Sequence, residues 1–190
     1  MTDMVLINTH AVIPASMVNG PGNRMVVFFQ GCDRRCPGCF NPATHPLDVR
    51  CLYTPEEIFH RYFIEGIEGI TVSGGEPFLQ PEALYELLKA AKGRGLTTVV
   101  YTGFDYEDVS SDGPKRRVFD FTDVMVDGRF DIGRKEPTLL ARGSTNQRLH
   151  FLNSIYRESD FLMPGKVEVI IGKDGRVMET GFGRAVPYLS

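Results

Sequence analysis

The stretch Gly31-Cys32-Asp33-Arg34-Arg35-Cys36-Pro37-Gly38-Cys39-Phe40-Asn41 constrains this chain more than any other. It holds three of the four cysteines within eight residues, spaced C-x3-C-x2-C, just after the apolar run Met25-Val26-Val27-Phe28-Phe29. The order reads as a strand emptying into a metal-binding loop. Thiolates this close in sequence can converge on one small object with little closure entropy, and soft sulfur ligands select iron–sulfur clusters, zinc or copper(I). An iron–sulfur cube normally takes four cysteines, one per iron, so three leave one iron open to an outside ligand.

Other uses of the same residues make different demands. A structural zinc site wants four closed ligands and would have to recruit Cys51 or His45 at irregular spacing. A disulfide framework is disfavoured by four cysteines spread over 190 residues with no secretory segment before them. Cys51 alone reads as a buried free thiol.

The residues around the cysteines form a repeating pattern. Val5, Leu6, Ile7, Val12 and Ile13 predict a short extended segment broken at Pro14, and Val18-Asn19-Gly20-Pro21-Gly22-Asn23-Arg24 a turn-rich link. A strand over 24–30 then enters the cysteine loop. Thr54-Pro55-Glu56-Glu57 predicts a helix start with a capping box, followed by Ile58, Phe59, Tyr62 and Phe63 on one face. Gly69-Ile70-Thr71-Val72-Ser73 has the short, β-branched character of a buried parallel strand. It ends in Gly74-Gly75-Glu76-Pro77, where glycine permits positive φ and close approach of a ligand.

Leu84, Leu87, Leu88 and Ala91 have helical spacing closed by Gly93 and Gly95, and 96–101 predicts the next strand, ending in Thr102-Gly103. A further strand is expected over 119–126, leaving Asp127 at its exit as either a site residue or a turn former. This β-α-β rhythm implies parallel strands with right-handed crossovers. Arg142-Gly143-Ser144-Thr145-Asn146-Gln147-Arg148 predicts a polar loop capping a helix that begins near Asn146. Arg142 is there a candidate fork for a carboxylate or phosphate. Residues 167–171 and 176–178, around Gly172-Lys173-Asp174-Gly175, predict a β-hairpin. His10, His45, His60 and His150 are dispersed, with His45 nearest the cysteine loop.

With 21 basic and 24 acidic residues the chain carries −3, which argues against a general nucleic-acid binder. Lys115-Arg116-Arg117 reads as a solvated loop. No stretch approaches the roughly 20 apolar residues of a membrane span, and no signal peptide is evident, so a cytoplasmic protein is expected.

The cysteine spacing together with Ser73-Gly74-Gly75-Glu76-Pro77, about 35 residues further on, resembles the radical S-adenosylmethionine (radical SAM) superfamily. Val18 to Arg24, Gly31 to Asn41, Val126-Asp127-Gly128-Arg129-Phe130 and Arg142 to Arg148 narrow the resemblance to the anaerobic ribonucleoside-triphosphate reductase activating proteins, within the glycyl radical enzyme activases. Gly38 departs from the superfamily's usual aromatic residue before the third cysteine, and two features depart from the activating proteins: His45 stands where tryptophan is common, and the C-terminal hairpin is an addition that the shortest members lack.

The resemblance implies an α/β fold, a partial, open (β/α)6-type barrel with a C-terminal β-hairpin. It forms a single domain over 1–190, with its core at about 18–150 and the hairpin extension at 165–182. A full eight-unit barrel typically needs about 250 residues, so the shorter chain agrees. The resemblance also implies a [4Fe–4S] cluster on Cys32, Cys36 and Cys39, with S-adenosylmethionine on the open iron. The cofactor-binding residues it implies are Phe40 and Asn41, Ser73 to Pro77 (Ser73, Gly74, Gly75, Glu76, Pro77), Thr102, Asp127 and Arg142. The reaction implied is one-electron cleavage to a 5′-deoxyadenosyl radical, which takes a backbone glycine hydrogen from a partner glycyl radical enzyme. A flavodoxin- or ferredoxin-like protein would supply the electron. Two alternatives stand beside it: a radical SAM enzyme acting on a small molecule or peptide, and a non-catalytic iron–sulfur or zinc protein.

Overall fold

Four apolar runs become the parallel centre of one sheet in the computed structural model, which describes residues 4–138, 140–163, 167–171, 175 and 177–181. These strands are β2 (Arg24–Phe29), β4 (Gly69–Gly74), β5 (Thr97–Tyr101) and β6 (Val124–Asp127), numbered with their antiparallel neighbours β1 (Ile7–Ser16), β3 (Cys51–Tyr53) and β7 (Arg148–Phe151). The order is β3-β1-β2-β4-β5-β6-β7. The parallel block therefore has four strands among the described residues, fewer than the six units the resemblance implied.

Alternation along the strands divides the protein into two layers. Met25, Val27, Phe29, Ile70, Val72, Val100 and Met125 point to the helical side. There α1 (Pro55–Tyr62) buries Ile58 and Phe59, and α2 (Pro81–Lys92) buries Leu84, Leu87, Leu88 and Ala91. Each of the larger side chains contributes roughly 1.5–3 kcal/mol on leaving water. The other face, carrying Val26, Phe28, Val99 and Val124, meets Leu140, Ala141, Phe161 and, from the C-terminal hairpin, Ile170.

Helix α1 starts as its sequence requires. The Thr54 hydroxyl accepts from the Glu57 amide at 3.1 Å, the Glu57 carboxylate accepts from the Thr54 amide at 2.8 Å, and Pro55 takes the first helical position. The turn-rich link before β2 holds Gly20 and Gly22 at φ +122° and +74°, so that Arg24 folds beneath the sheet. Its buried guanidinium donates to the Thr71 hydroxyl and to the carbonyls of Pro21 and Ile70 at 2.7–2.9 Å, joining β2 to β4.

Three expected elements differ. Pro14 does not end β1, because it lies in an irregularity of the β1–β2 register between Ile13 and Ser16, where no ladder donor is required. The strand expected over 119–126 is a 3-10 turn at Arg117–Phe121 followed by β6. Phe119 and Phe121 are drawn out of strand geometry by rings on the helical side, Tyr106 at 5.2 Å and Tyr85 at 5.2 Å. No helix begins at Asn146. Its side chain donates to the Arg129 carbonyl at 2.7 Å, that of Gln147 donates to the Gly128 carbonyl at 2.8 Å, and the chain continues as β7.

The expected hairpin is present as β8 (Val167–Ile171) and β9 (Val177–Gly181), antiparallel with Val169 opposite Glu179. Its turn at 172–174, Arg176 and the flanking 165, 166 and 182 lie outside the described residues. So do 1–3, 139, 164 and 183–190 of the expected 1–190 domain. Among the described residues no helix is long and apolar enough to cross a membrane.

Candidate metal and cofactor site

The exits of all four parallel strands open on one cleft of about 630 Å³. Strand β2 leaves it through Gly31, whose amide donates to Thr44 at 2.8 Å and whose carbonyl accepts from the Glu76 amide at 2.8 Å. The cysteine loop is thereby fastened to the turn after β4. That turn approaches β2 so closely that glycine is required twice. Gly74 sits at φ +109°, and a Cβ on Gly75 would lie 2.7 Å from the Gly31 carbonyl carbon.

Cys32, Cys36 and Cys39 all line this cleft, with Phe40, Asn41, Ser73, Gly74, Gly75, Glu76 and Thr102. Burial pushes the Cys32 and Cys39 thiols up, and the Asn41 amide donates to the Cys39 sulfur at 3.4 Å. Among the described residues, no three His, Cys, Asp or Glu side chains are gathered closely enough to hold a single ion. A cube makes a different demand, three thiolates spread over a larger body than one ion, and Cys32, Cys36 and Cys39, all lining one cleft, fit it. Cys51 lies apart, half-buried in β3 opposite Thr9, rather than fully buried as expected.

Glu76 is almost wholly buried. Its carboxylate accepts from the amides of Phe78 at 3.0 Å and Gly103 at 2.7 Å and from the Thr102 hydroxyl at 2.8 Å. Burial pushes the carboxyl up against the pull of those three donors. The side chain thus clamps the exit of β4 to that of β5 and leaves the Gly74–Gly75 backbone facing the cleft. Phe40 and Phe130 pack as a tilted pair with ring centroids 4.9 Å apart, and both line the cleft with Gly74 and Gly75.

Three expected contact residues lie outside the lining. Pro77 begins a 3-10 turn and is buried beneath the cleft. The Arg142 guanidinium is engaged by the Glu136 carboxylate and by the Gln147 carbonyl at 2.7 Å, so it holds its own loop together. Asp127 is buried and accepts from the Tyr106 amide at 2.7 Å and from Nε of Arg148 at 3.1 Å.

Burial alone would raise the Asp127 carboxyl, but the bonds from Arg148 and Tyr106 hold it below the ordinary aspartate range. A depressed folded value contributes stability above about pH 3.9, the ordinary aspartate value, and loses it as pH falls through the lower one. Asp127→Asn should therefore cost about 2 kcal/mol near pH 7, with the deficit shrinking below about pH 4 in denaturant titrations. A deficit that does not change with pH would remove the charge from the explanation.

Long-range folding adds lining residues that local patterns do not reveal. Arg34 lies 3.7 Å over the Phe104 ring, and Tyr101 donates from its hydroxyl to the Ala141 carbonyl at 2.8 Å. His45, Lys135 and Gln147 also face the cleft. Val169, Val177, Glu179, Thr180 and Gly181 of the hairpin form a further wall. This wall is anchored where Glu168 accepts from the Met17 amide at 2.8 Å and Asn19 donates to the Thr180 hydroxyl at 3.0 Å.

Residues 18–150 match the family described as a 4Fe-4S single cluster domain, a span that includes every cysteine, the strands β2 to β6 and all but the last residue of β7. The chain belongs to this family. Within it, the chain is 34% identical over 155 residues to the anaerobic ribonucleoside-triphosphate reductase-activating protein of Escherichia coli (strain K12), covering 76% of this chain and 99% of that protein. It is 42% identical over 130 residues to the pyruvate formate-lyase-activating enzyme of Clostridium pasteurianum, covering 65% of this chain and 52% of that enzyme. QueE from Escherichia coli overlaps structurally with a TM-score of 0.38 at 15% identity over 52% of each chain. As a member of the 4Fe-4S single cluster family this is a radical SAM enzyme, with a [4Fe–4S] cluster and S-adenosylmethionine as its cofactors. The hairpin wall lies beyond the part of the chain that the family describes.

Proposed function

We propose that the protein installs a glycyl radical on a partner enzyme of the anaerobic ribonucleotide reductase type, with Cys32, Cys36 and Cys39 holding the cluster. The observation that carries this reading is the meeting of three cysteines and the bare Gly74–Gly75 backbone in one cleft. When bound, the cluster and S-adenosylmethionine supply a 5′-deoxyadenosyl radical that abstracts a glycine hydrogen. The protein's own residues bind and shield. Carbonyls of the Ser73–Gly75 turn would receive the cofactor's amine, Glu76 bonded to Thr102 would hold that turn in place, and Phe40 with Phe130 would offer a ring face to the adenine. A flavodoxin- or ferredoxin-like donor provides the electron. We take residues 1–190 as one unit and the sheet as an open, partial barrel, a reading supported by a strand order that runs from β3 to β7 without closing.

A second reading, a radical SAM enzyme modifying a small molecule or peptide, is favoured by the hairpin, which adds a wall to a cleft already of ligand size. Anaerobically reconstituted protein, dithionite and S-adenosylmethionine should release methionine and 5′-deoxyadenosine in equal amounts. Adding an anaerobic ribonucleotide reductase should then give a doublet electron paramagnetic resonance signal. Cleavage without a doublet supports the second reading, and no cleavage at all removes both.

A further inference from the structure

His45 holds a polar atom that nothing among the described residues satisfies. Its carbonyl accepts from the Cys32 amide at 3.2 Å, and the neighbouring Thr44 carbonyl accepts from Gly31, so its backbone is laid alongside the cysteine loop. The Nε2 atom is shut off from solvent and has no hydrogen-bond partner among the described residues. The residue lines the same cleft as Cys32, Cys36 and Cys39. A buried polar atom left unsatisfied costs about 1–3 kcal/mol, so such an atom usually has a partner in the loaded protein, and a sulfur acceptor calls for the tautomer protonated at Nε2.

The contents of this cleft determine what that partner can be. A cluster carried on three thiolates brings sulfur acceptors to the wall that His45 shares. Those sulfurs gain negative charge when the cluster is reduced, and a donor aimed at one of them favours the reduced state.

We propose that His45 donates a hydrogen bond from Nε2 to a sulfur of the cluster, whether a bridging sulfide or a cysteine thiolate, and thereby raises its reduction potential. This rests on the cluster assignment made above. His45 is a positioning residue here, acting through the cluster and touching no substrate.

The test is a potentiometric titration of the anaerobically reconstituted full chain without S-adenosylmethionine, read by electron paramagnetic resonance of the reduced cluster. His45→Phe keeps a ring but removes the donor, while His45→Gln keeps an N–H near the same place. His45→Phe should lower the reduced-to-oxidised ratio at a fixed potential about tenfold, a shift of 59 mV for one electron, and His45→Gln should recover most of it. In protein carrying 15N-histidine, pulsed measurements on the reduced wild-type cluster should show a weak nitrogen coupling that His45→Phe lacks. If His45→Phe does not load iron, the coupling and the His45→Gln titration decide alone. Equal potentials in wild type and both variants overturn the proposal, as do equal shifts in both variants, which would mean packing. A wild-type protein that binds no cluster overturns the cysteine assignment instead, and is recognised by its iron content before any titration.

Discussion

Cys32→Ala, Cys36→Ala and Cys39→Ala should each yield folded protein without a cluster and without any detectable cleavage of S-adenosylmethionine. The expectation follows from the count of ligands. Altering groups outside the metal's own ligands already costs about 10–100-fold, and losing one of only three ligands leaves a cube with two open irons. All three cysteines lie in a loop, outside the β ladders, so circular dichroism should report an intact sheet. Iron and sulfide content and the visible absorbance of the reconstituted protein are the direct measurements. Cys51→Ala is the control, since its half-buried thiol belongs to β3 and does not line the cleft. A Cys51→Ala protein lacking iron would make it a ligand and turn the three-cysteine site into a closed four-cysteine one.

Gly75→Ala should damage the site from the backbone side. The added methyl would press on the Gly31 carbonyl, a backbone group that cannot swing away, and would separate the turn after β4 from the cysteine loop. Overpacking of this kind costs about 3 kcal/mol, or roughly 10 °C in Tm for a chain of this size, and S-adenosylmethionine binding should be lost with it. Gly66→Ala provides the comparison. Unlike Gly75 it has positive φ, at +85°, and a Cβ there meets open space. Only the backbone strain of about 1–2 kcal/mol should appear, with the cofactor site intact. Similar losses of binding in both variants would show that the contact with Gly31 is not what matters.

What could be read from the sequence were the features whose causes are local. The capping box at Thr54 and Glu57, the leucine face of α2 and the three-cysteine loop each depend on residues within a few positions of one another, and each formed as expected. The Gly74-Gly75-Glu76 turn was legible as a strand exit, and it lines the cleft. The partners of Glu76 were not, because Thr102 and Gly103 lie on a different strand. Asp127 and Arg142 show the converse. Both looked available in sequence, and both are engaged by groups brought from elsewhere, Asp127 by Tyr106 and Arg148 and Arg142 by Glu136. The strand expected at 119–126 gave way to a 3-10 turn because ring packing against Tyr85 and Tyr106 outweighed β-propensity. His45 and Arg34 are cleft residues that no spacing rule would select. Their signal, proximity to the cysteines, becomes meaningful only once the loop has a shape.

The hairpin's anchors reach across nearly the whole chain. The Met17–Glu168 and Asn19–Thr180 bonds span 151 and 161 positions in sequence, whereas β2, β4, β5 and β6 join through far shorter connections. Contacts of such long range carry the largest closure entropy and have few neighbours to share it. Opening of that flap is therefore a smaller event than opening of the sheet, with its own equilibrium. How readily a bulky guest enters is then set by a lever remote from the thiols, which selection could adjust without touching the iron.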